Sequence, residues 1–270
     1  MHSTMCQLAL PRSEQADYVF ERQCGNSSLR IAAGSLWDGK EWVQQPLPYG
    51  PMARMILAFV NTYAIRNQTP EVVGGGSKAE CLRMMGKTST GGKKGNNRMF
   101  EKQLLAMAAC EMSFGFRRGE RISTCNERPI KKFDRWVMRP GTQDLSAQKS
   151  KFVLSTDYFS SLREHAVPCN IHAVFALSYS ALALDVYFML AERLHRVPEK
   201  PVFLRWANLY GQFGQEYRGK HAARDFKRAY TKALHAALHV YPDAKVDICA
   251  DGIRLHRSPP PIPRRRPLIA

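Results

Sequence analysis

The sequence predicts a helix-rich α+β protein in which one order of elements is used twice. Three observations carry this. An apolar helix, a short helix, a turn, a longer basic helix and a hairpin pattern follow one another between about residues 46 and 123, and the same order returns between about residues 173 and 256. Each longer helix sets an apolar face against a cationic one. The chain is also strongly basic, with 40 Lys+Arg against 23 Asp+Glu and a formal charge of +17. That order of elements is the one a winged helix-turn-helix needs, so the expectation is two tandem winged-helix domains.

The elements follow from local chemistry. Pro46, Pro48, Gly50 and Pro51 punctuate the chain, and then Met52, Met55, Ile56, Phe59, Val60 and Tyr63 recur at helical spacing. Glu71-Val72-Val73 reads as a short strand ended by Gly74-Gly75-Gly76. Ser77, with Glu80 three residues on, reads as a capping box for a helix over Lys78–Met85 that stops at Gly86. The KTSTGG turn leads into a helix over Lys94–Cys110, and Met112–Phe116 with Arg121–Ser123 reads as a hairpin turning at Arg118-Gly119-Glu120. Residues 128–150 read as a linker or extended crossover.

In the second half, Lys151–Ser155 reads as a strand, Tyr158–His165 as a short helix and Ala173–His195 as one long apolar helix. After Pro198 and Pro201, a short helix over Leu204–Phe213 ends at Gly214, and a basic turn leads into a helix over Ala222–Tyr241. Lys245–Cys249 and Ile253–His256 flank Asp251-Gly252, a strong hairpin signal. The predicted organisation is an N-terminal extension (1–45), a first winged-helix domain with linker (46–150), a second (151–258) and a Pro/Arg-rich tail (259–270).

Bulk properties narrow the partners. At 270 residues with 44% hydrophobic and 10% aromatic side chains, the chain can build two cores. The charge points to a polyanion. Seven cysteines at irregular spacing, without a C-x-x-C, argue against a disulfide framework and for a reducing cytosol. The first fifteen residues lack the pattern of a signal peptide. The most apolar stretch, Ala173–Leu190, is broken by Ser178, Ser180 and Asp185 and reads as a buried helix rather than a membrane span. A cytoplasmic protein without membrane contact is expected.

The candidate DNA-binding residues lie on and before the two basic helices. In the second, Phe226, Tyr230, Ala233, Leu234, Ala237 and Leu238 form the apolar side. Arg224, Lys227, Arg228, Thr231 and Lys232 form the wet side, with Arg218 and Lys220 in the approach and only Asp225 to offset them. Like charges this close oppose folding unless phosphates neutralise them. In the first, Phe100, Leu104, Met107 and Ala108 face inward, and Lys94, Asn97, Arg98 and Lys102 outward, with Lys93 and Asn96 at the entry. Arg suits guanine and Asn suits adenine, so Asn97, Arg98, Arg224 and Arg228 are assigned to base edges, and Lys93, Lys94, Lys102, Lys220, Lys227 and Lys232 to phosphates.

Catalytic patterns do not form. Gly86 and Gly91 have P-loop spacing, but Gly92 stands where the lysine belongs. His235 and His239 are separated as in a zinc protease, but Ala236 replaces the glutamate, and the two are placed on or beside the apolar face. His165, Cys169 and His172 are only loosely spaced like metal ligands, and neither His-x-His nor Asp-x-Asp occurs. The expectation is no catalytic residue, no metal and no cofactor: a binding protein rather than an enzyme.

Several stretches resemble the bacterial plasmid replication-initiator family called RepA. They are Leu47-Pro48-Tyr49-Gly50, Gly86 with Thr90-Gly91-Gly92, and Arg98, Phe100 and Gln103. Leu182-Ala183-Leu184-Asp185-Val186-Tyr187 follows, then Trp206, Leu209-Tyr210, Gln212-Phe213-Gly214, Phe226 and Ser258-Pro259-Pro260-Pro261-Ile262-Pro263. The resemblance implies binding to repeated double-stranded sites at a plasmid origin, opening of that origin for host replication proteins, and self-repression. A homodimer is a further expectation. A transcriptional repressor on the same scaffold is the alternative, and a metal-dependent nuclease or nucleotidyl transferase is a third reading that would need clustered carboxylates or histidines.

Overall fold

A computed structural model of the chain describes residues 1–92, 95–134 and 151–262. It is a mixed α+β protein whose chain forms two compact units, Leu10–Ala166 on one hand and Met1–Ala9 with Val167–Ala270 on the other. Two expectations change here. Residues 1–45 are not one extension: 1–9 belong with the C-terminal half, and the remainder with the first half. Residues 151–166 belong to the first unit rather than the second, because strand 151–154 is hydrogen-bonded inside that unit's own sheet.

In order, the elements up to the first helix of the Leu10–Ala166 unit are α1 (Ser3–Gln7), β1 (Val19–Cys24), β2 (Ser27–Ala32), β3 (Ser35–Trp37), β4 (Trp42–Gln44) and α2 (Gly50–Asn67). Then come β5 (Glu71–Val73), α3 (Lys78–Met84), α4 (Asn96–Ala109), β6 (Glu111–Arg118), β7 (Arg121–Glu127), β8 (Ile130–Asp134), β9 (Lys151–Leu154) and α5 (Thr156–His165). α2 is buried along almost its whole length. Its N-terminus has no side-chain cap of its own; instead the Tyr49 N–H donates to Oε1 of the fully buried Gln103, 2.7 Å away. Arg54 is also buried, and its guanidinium donates to the carbonyls of Leu10 (2.6 Å), Pro11 (3.0 Å) and Gly50 (2.9 Å). A cation enters this core because carbonyl dipoles satisfy it.

The capping box holds with a shift of one residue. Ser77 Oγ accepts from the Glu80 N–H at 3.1 Å, while the Glu80 carboxylate accepts from Gly76 N–H at 2.8 Å. α4 packs on α2 and α3 through buried Phe100, Leu104 and Met107. β6 and β7 form the expected hairpin, but it is half of a four-stranded antiparallel sheet ordered β1-β2-β6-β7, built partly from residues 19–32. Leu29, Ile31, Met112 and Phe114 cover the core from its inner face. β5, β9 and β8 make a second sheet in the order β5-β9-β8, so part of the expected linker is a strand; residues 135–150 lie outside the described residues.

The other unit holds α1, α6 (Ile171–Ala176), α7 (Ala181–Arg193), a 3-10 turn (Leu194–Arg196), β10 (Val202–Arg205), α8 (Trp206–Phe213), α9 (Ala222–Val240), β11 (Val246–Cys249) and β12 (Gly252–Leu255). The single apolar helix expected over 173–195 is two helices. Ser178 Oγ donates to Phe175 O at 2.5 Å, and Ser180 Oγ accepts from the Ala183 N–H at 3.2 Å, so the serines end one helix and cap the next. The helix expected from Leu204 starts at Trp206, because Val202–Arg205 pairs with β12 in a sheet ordered β10-β12-β11. α7 packs against α9 and α1. The Met1 ammonium donates to Val167 O at 2.9 Å, and Gln212 Nε2 to Gln7 O at 2.9 Å, which ties residues 1–9 into this unit.

Candidate nucleic-acid interface

In the Leu10–Ala166 unit, the turn between α3 and α4 is built by its own polar side chains. Thr90 Oγ1 accepts from the Asn96 N–H at 2.9 Å, and Thr90 O from the Asn97 N–H at 3.2 Å, so two amide donors of the α4 N-terminus are satisfied. Asn96 Nδ2 donates to Thr88 O at 2.9 Å, and Ser89 Oγ to Asn97 Oδ1 at 2.9 Å. A Cβ on Gly95 would stand 2.2 Å from Gly91 O and 2.3 Å from Thr90 O, so only glycine lets the turn close this tightly. Asn96 and Asn97 therefore order the approach to α4.

Of the remaining candidates here, Arg98 is exposed on the first turn of α4. Lys102 donates to Glu14 Oε1 at 2.6 Å and lies 5.4 Å over the Tyr49 ring, while the Tyr49 hydroxyl donates to Glu14 Oε2 at 3.0 Å. These two bonds, the lysine's first, hold the Glu14 carboxyl below its ordinary range. Lys102 is thus partly neutralised by a partner 88 positions away. Lys93 and Lys94 lie outside the described residues.

In the other unit, α9 has the two faces that its sequence requires. Phe226, Tyr230, Ala233, Leu234 and Ala237 are buried. Phe226 meets Tyr210 edge-on at 5.3 Å and Tyr217 at 5.6 Å, and Trp206 meets Tyr230 at 5.9 Å, so α8 and the following turn are packed to α9 by aromatic rings. On the wet side, Arg218, Lys220, Arg224, Lys227, Arg228 and Lys232 are exposed and Thr231 is half-buried. Asp225 offsets Arg224 at 3.7 Å and Arg228 at 3.4 Å. Lys227 differs from its neighbours. Its Nζ donates to Ala250 O at 2.9 Å and sits 5.1 Å over the Trp206 ring, whose Nε1 donates to the same carbonyl at 2.9 Å. The β11–β12 turn is thereby latched to α8 and α9.

The structure also presents cations that sequence reasoning left aside. Arg117 and Arg121 are exposed near the tip of the β6–β7 hairpin, where Gly119 takes a φ of +60° and Arg117 Nε donates to Gly119 O at 3.3 Å. The run Arg117-Arg118-Gly119-Glu120-Arg121 carries that signal, three arginines about a turn. His235 and His239, expected on or beside the apolar face, are exposed: they continue the row of Arg224, Arg228 and Thr231 along α9. Among the described residues no three His, Cys, Asp or Glu side chains form a group that could hold a metal, and no helix is long and apolar enough to cross a membrane.

A family model described as plasmid encoded RepA protein matches residues 47–205, more than half of the chain. No curated protein sequence matches. Among solved structures, a crystal structure of selenomethionine derivatives of domains 2 and 3 of RctB is similar, with a TM-score of 0.59 at 11% identity over 94% of this chain and 98% of that one. A second crystal structure, of RctB domains 2–3 (155–483), gives a TM-score of 0.55 at 10% identity over 93% and 94% of the two chains. At such identities the likeness is one of fold.

Proposed function

We propose a mode of action for a chain that belongs to the plasmid-encoded RepA family of replication initiators: its two units are winged helix-turn-helix modules that bind repeated double-stranded sites at a replication origin and promote its opening. α4 and α9 are the recognition helices, and the hairpins β6–β7 and β11–β12 are the wings. The observation that carries this reading is α9. One face of this helix is buried among aromatic rings, and the opposite face exposes Arg224, Arg228 and Lys232 with Asp225 as the acid among them. Such a face is stabilised when its cations neutralise phosphates, whose condensed counterions are released to solution.

Within this scheme Arg98, Arg224 and Arg228 read base edges, and Lys220, Lys232 and Arg218 hold phosphates. Asn96 and Asn97 position α4 through the turn that they close. The work on DNA comes from binding and deformation, without a catalytic group. Host replication proteins and a second copy of the chain are the protein partners that this scheme expects. Footprinting on the chain's own replicon tests it: protection of direct repeats at one-turn intervals is the expected result. Protection of a lone palindrome by a stable dimer would instead make the protein a repressor.

Lys227 supplies a sharper check. Its bond to Ala250 O supports reading it as a positioning residue for the wing rather than a phosphate ligand. Lys227→Met is expected to raise amide exchange across residues 246–255 and to weaken DNA binding while leaving the salt dependence of affinity nearly unchanged. A fall in that slope by about one unit would assign the ammonium to a phosphate instead.

A further inference from the structure

We propose that the β6–β7 hairpin is a minor-groove arm, and that Ile122 is the apolar side chain that enters the groove of a DNA duplex and unstacks a base step. The inference rests on the DNA-binding reading above and adds a contact that the two recognition helices do not make. Ile122 is 74% exposed, the highest value for a large hydrophobic side chain among the described residues. The register explains this. Ile122 lies opposite Arg117, one pair from the Arg118–Arg121 end of the ladder. It shares the sheet's outer face with the pairs Gly115–Thr124 and Ser113–Asn126, whereas Met112 and Phe114 alternate onto the inner face and are buried. Alternation therefore turns Ile122 away from the core.

Its surroundings select the partner. Arg117, its cross-strand partner, shares its face, and Arg121, the residue before it, alternates to the other face at the end of the ribbon; both are exposed. An apolar tip with a guanidinium beside it and another on the reverse face of the ribbon matches a duplex, which offers phosphates outside and sugar and base surfaces within. Behind the tip, Ser113, Gly115 and Thr124 keep the outer face low and polar, so a duplex backbone can lie close to it. Two paired strands stand about 4.8 Å apart in a groove about 6 Å wide, so the side chain enters and the ribbon remains at the rim. The arm is also braced: β6 is hydrogen-bonded on its other side to β2, and β2 to β1.

Insertion gains buried apolar surface and costs base stacking, and these terms nearly offset each other. Removing the wedge should thus change the shape of the DNA more than the affinity for it. The experiment uses the full chain on a duplex from its own origin, with dyes at both ends and permanganate as a probe of unstacked thymines. Wild type is expected to bring the dye-labelled ends closer and expose one base step. Ile122→Ser is expected to bind within about tenfold of wild type but to lose the bend and the permanganate signal, and Ile122→Leu to restore both. An Ile122→Ser protein that bends DNA like wild type overturns the wedge and leaves the initiator reading intact, as does a wild type that binds without bending. A loss of self-association in Ile122→Ser, with bending unchanged, would assign the tip to a second copy of the chain. Failure of the wild type to bind any duplex overturns both readings.

Discussion

Arg54→Met is expected to lower the stability of the Leu10–Ala166 unit by about 3–5 kcal/mol. The side chain is 2% exposed and donates to three carbonyls, those of Leu10, Pro11 and Gly50. Methionine fills much of the same volume but donates nothing. Each hydrogen bond lost from a charged donor costs about 1.5–3 kcal/mol, less whatever rearrangement recovers, and Pro11 O keeps the Gly50 N–H as a donor at 3.0 Å. The carbonyls belong to the segment that enters the unit and to the first residue of α2, so the loss falls on the start of the longest helix of this unit. Because the chain has two units, a single melting temperature is not the right reading. Native-state amide exchange of α2 is the check. A change under about 1 kcal/mol would mean that water or neighbouring donors replace the guanidinium.

The second large effect is on recognition. The double variant Arg224→Ala with Arg228→Ala is expected to weaken binding to the specific duplex by about 2–5 kcal/mol and binding to unrelated duplex by much less. The two residues are one helical turn apart, so their losses need not add. Folding should be unaffected: the side chains are 72% and 82% exposed and touch Asp225 in surface pairs of little worth. Competition titrations with the two duplexes measure the difference. Equal loss on both would reassign the arginines to the phosphate backbone.

Much of this was legible in the sequence because it is local. The periodicity of Met52–Tyr63, the Ser77–Glu80 cap, the Asp251-Gly252 turn and the two faces of α9 each depend on residues a few positions apart. What was hidden is long-range. Nothing near Lys102 announces Glu14, and nothing near Lys227 announces the Ala250 carbonyl. Long cationic side chains look alike in sequence, whether they reach for a phosphate or for their own fold. The strand at 151–154 belongs with the first half because its partners, β5 and β8, are set by sheet pairing rather than by chain proximity. Residues 19–24 carry little periodicity of their own and become a strand by pairing onto β2, which in turn pairs onto β6. The serines at 178 and 180 were visible, but whether such residues merely interrupt a helix's hydropathy or end it depends on which backbone groups they reach.

The most direct test of the central claim is a binding titration of the full chain against labelled duplexes from its own replicon, with unrelated duplex as competitor, at two salt concentrations. Tight binding to direct repeats that survives competitor and falls steeply with salt is the predicted result. Equal, weak binding to every duplex would contradict it: the cationic faces would be real, but α4 and α9 would not be reading sequence.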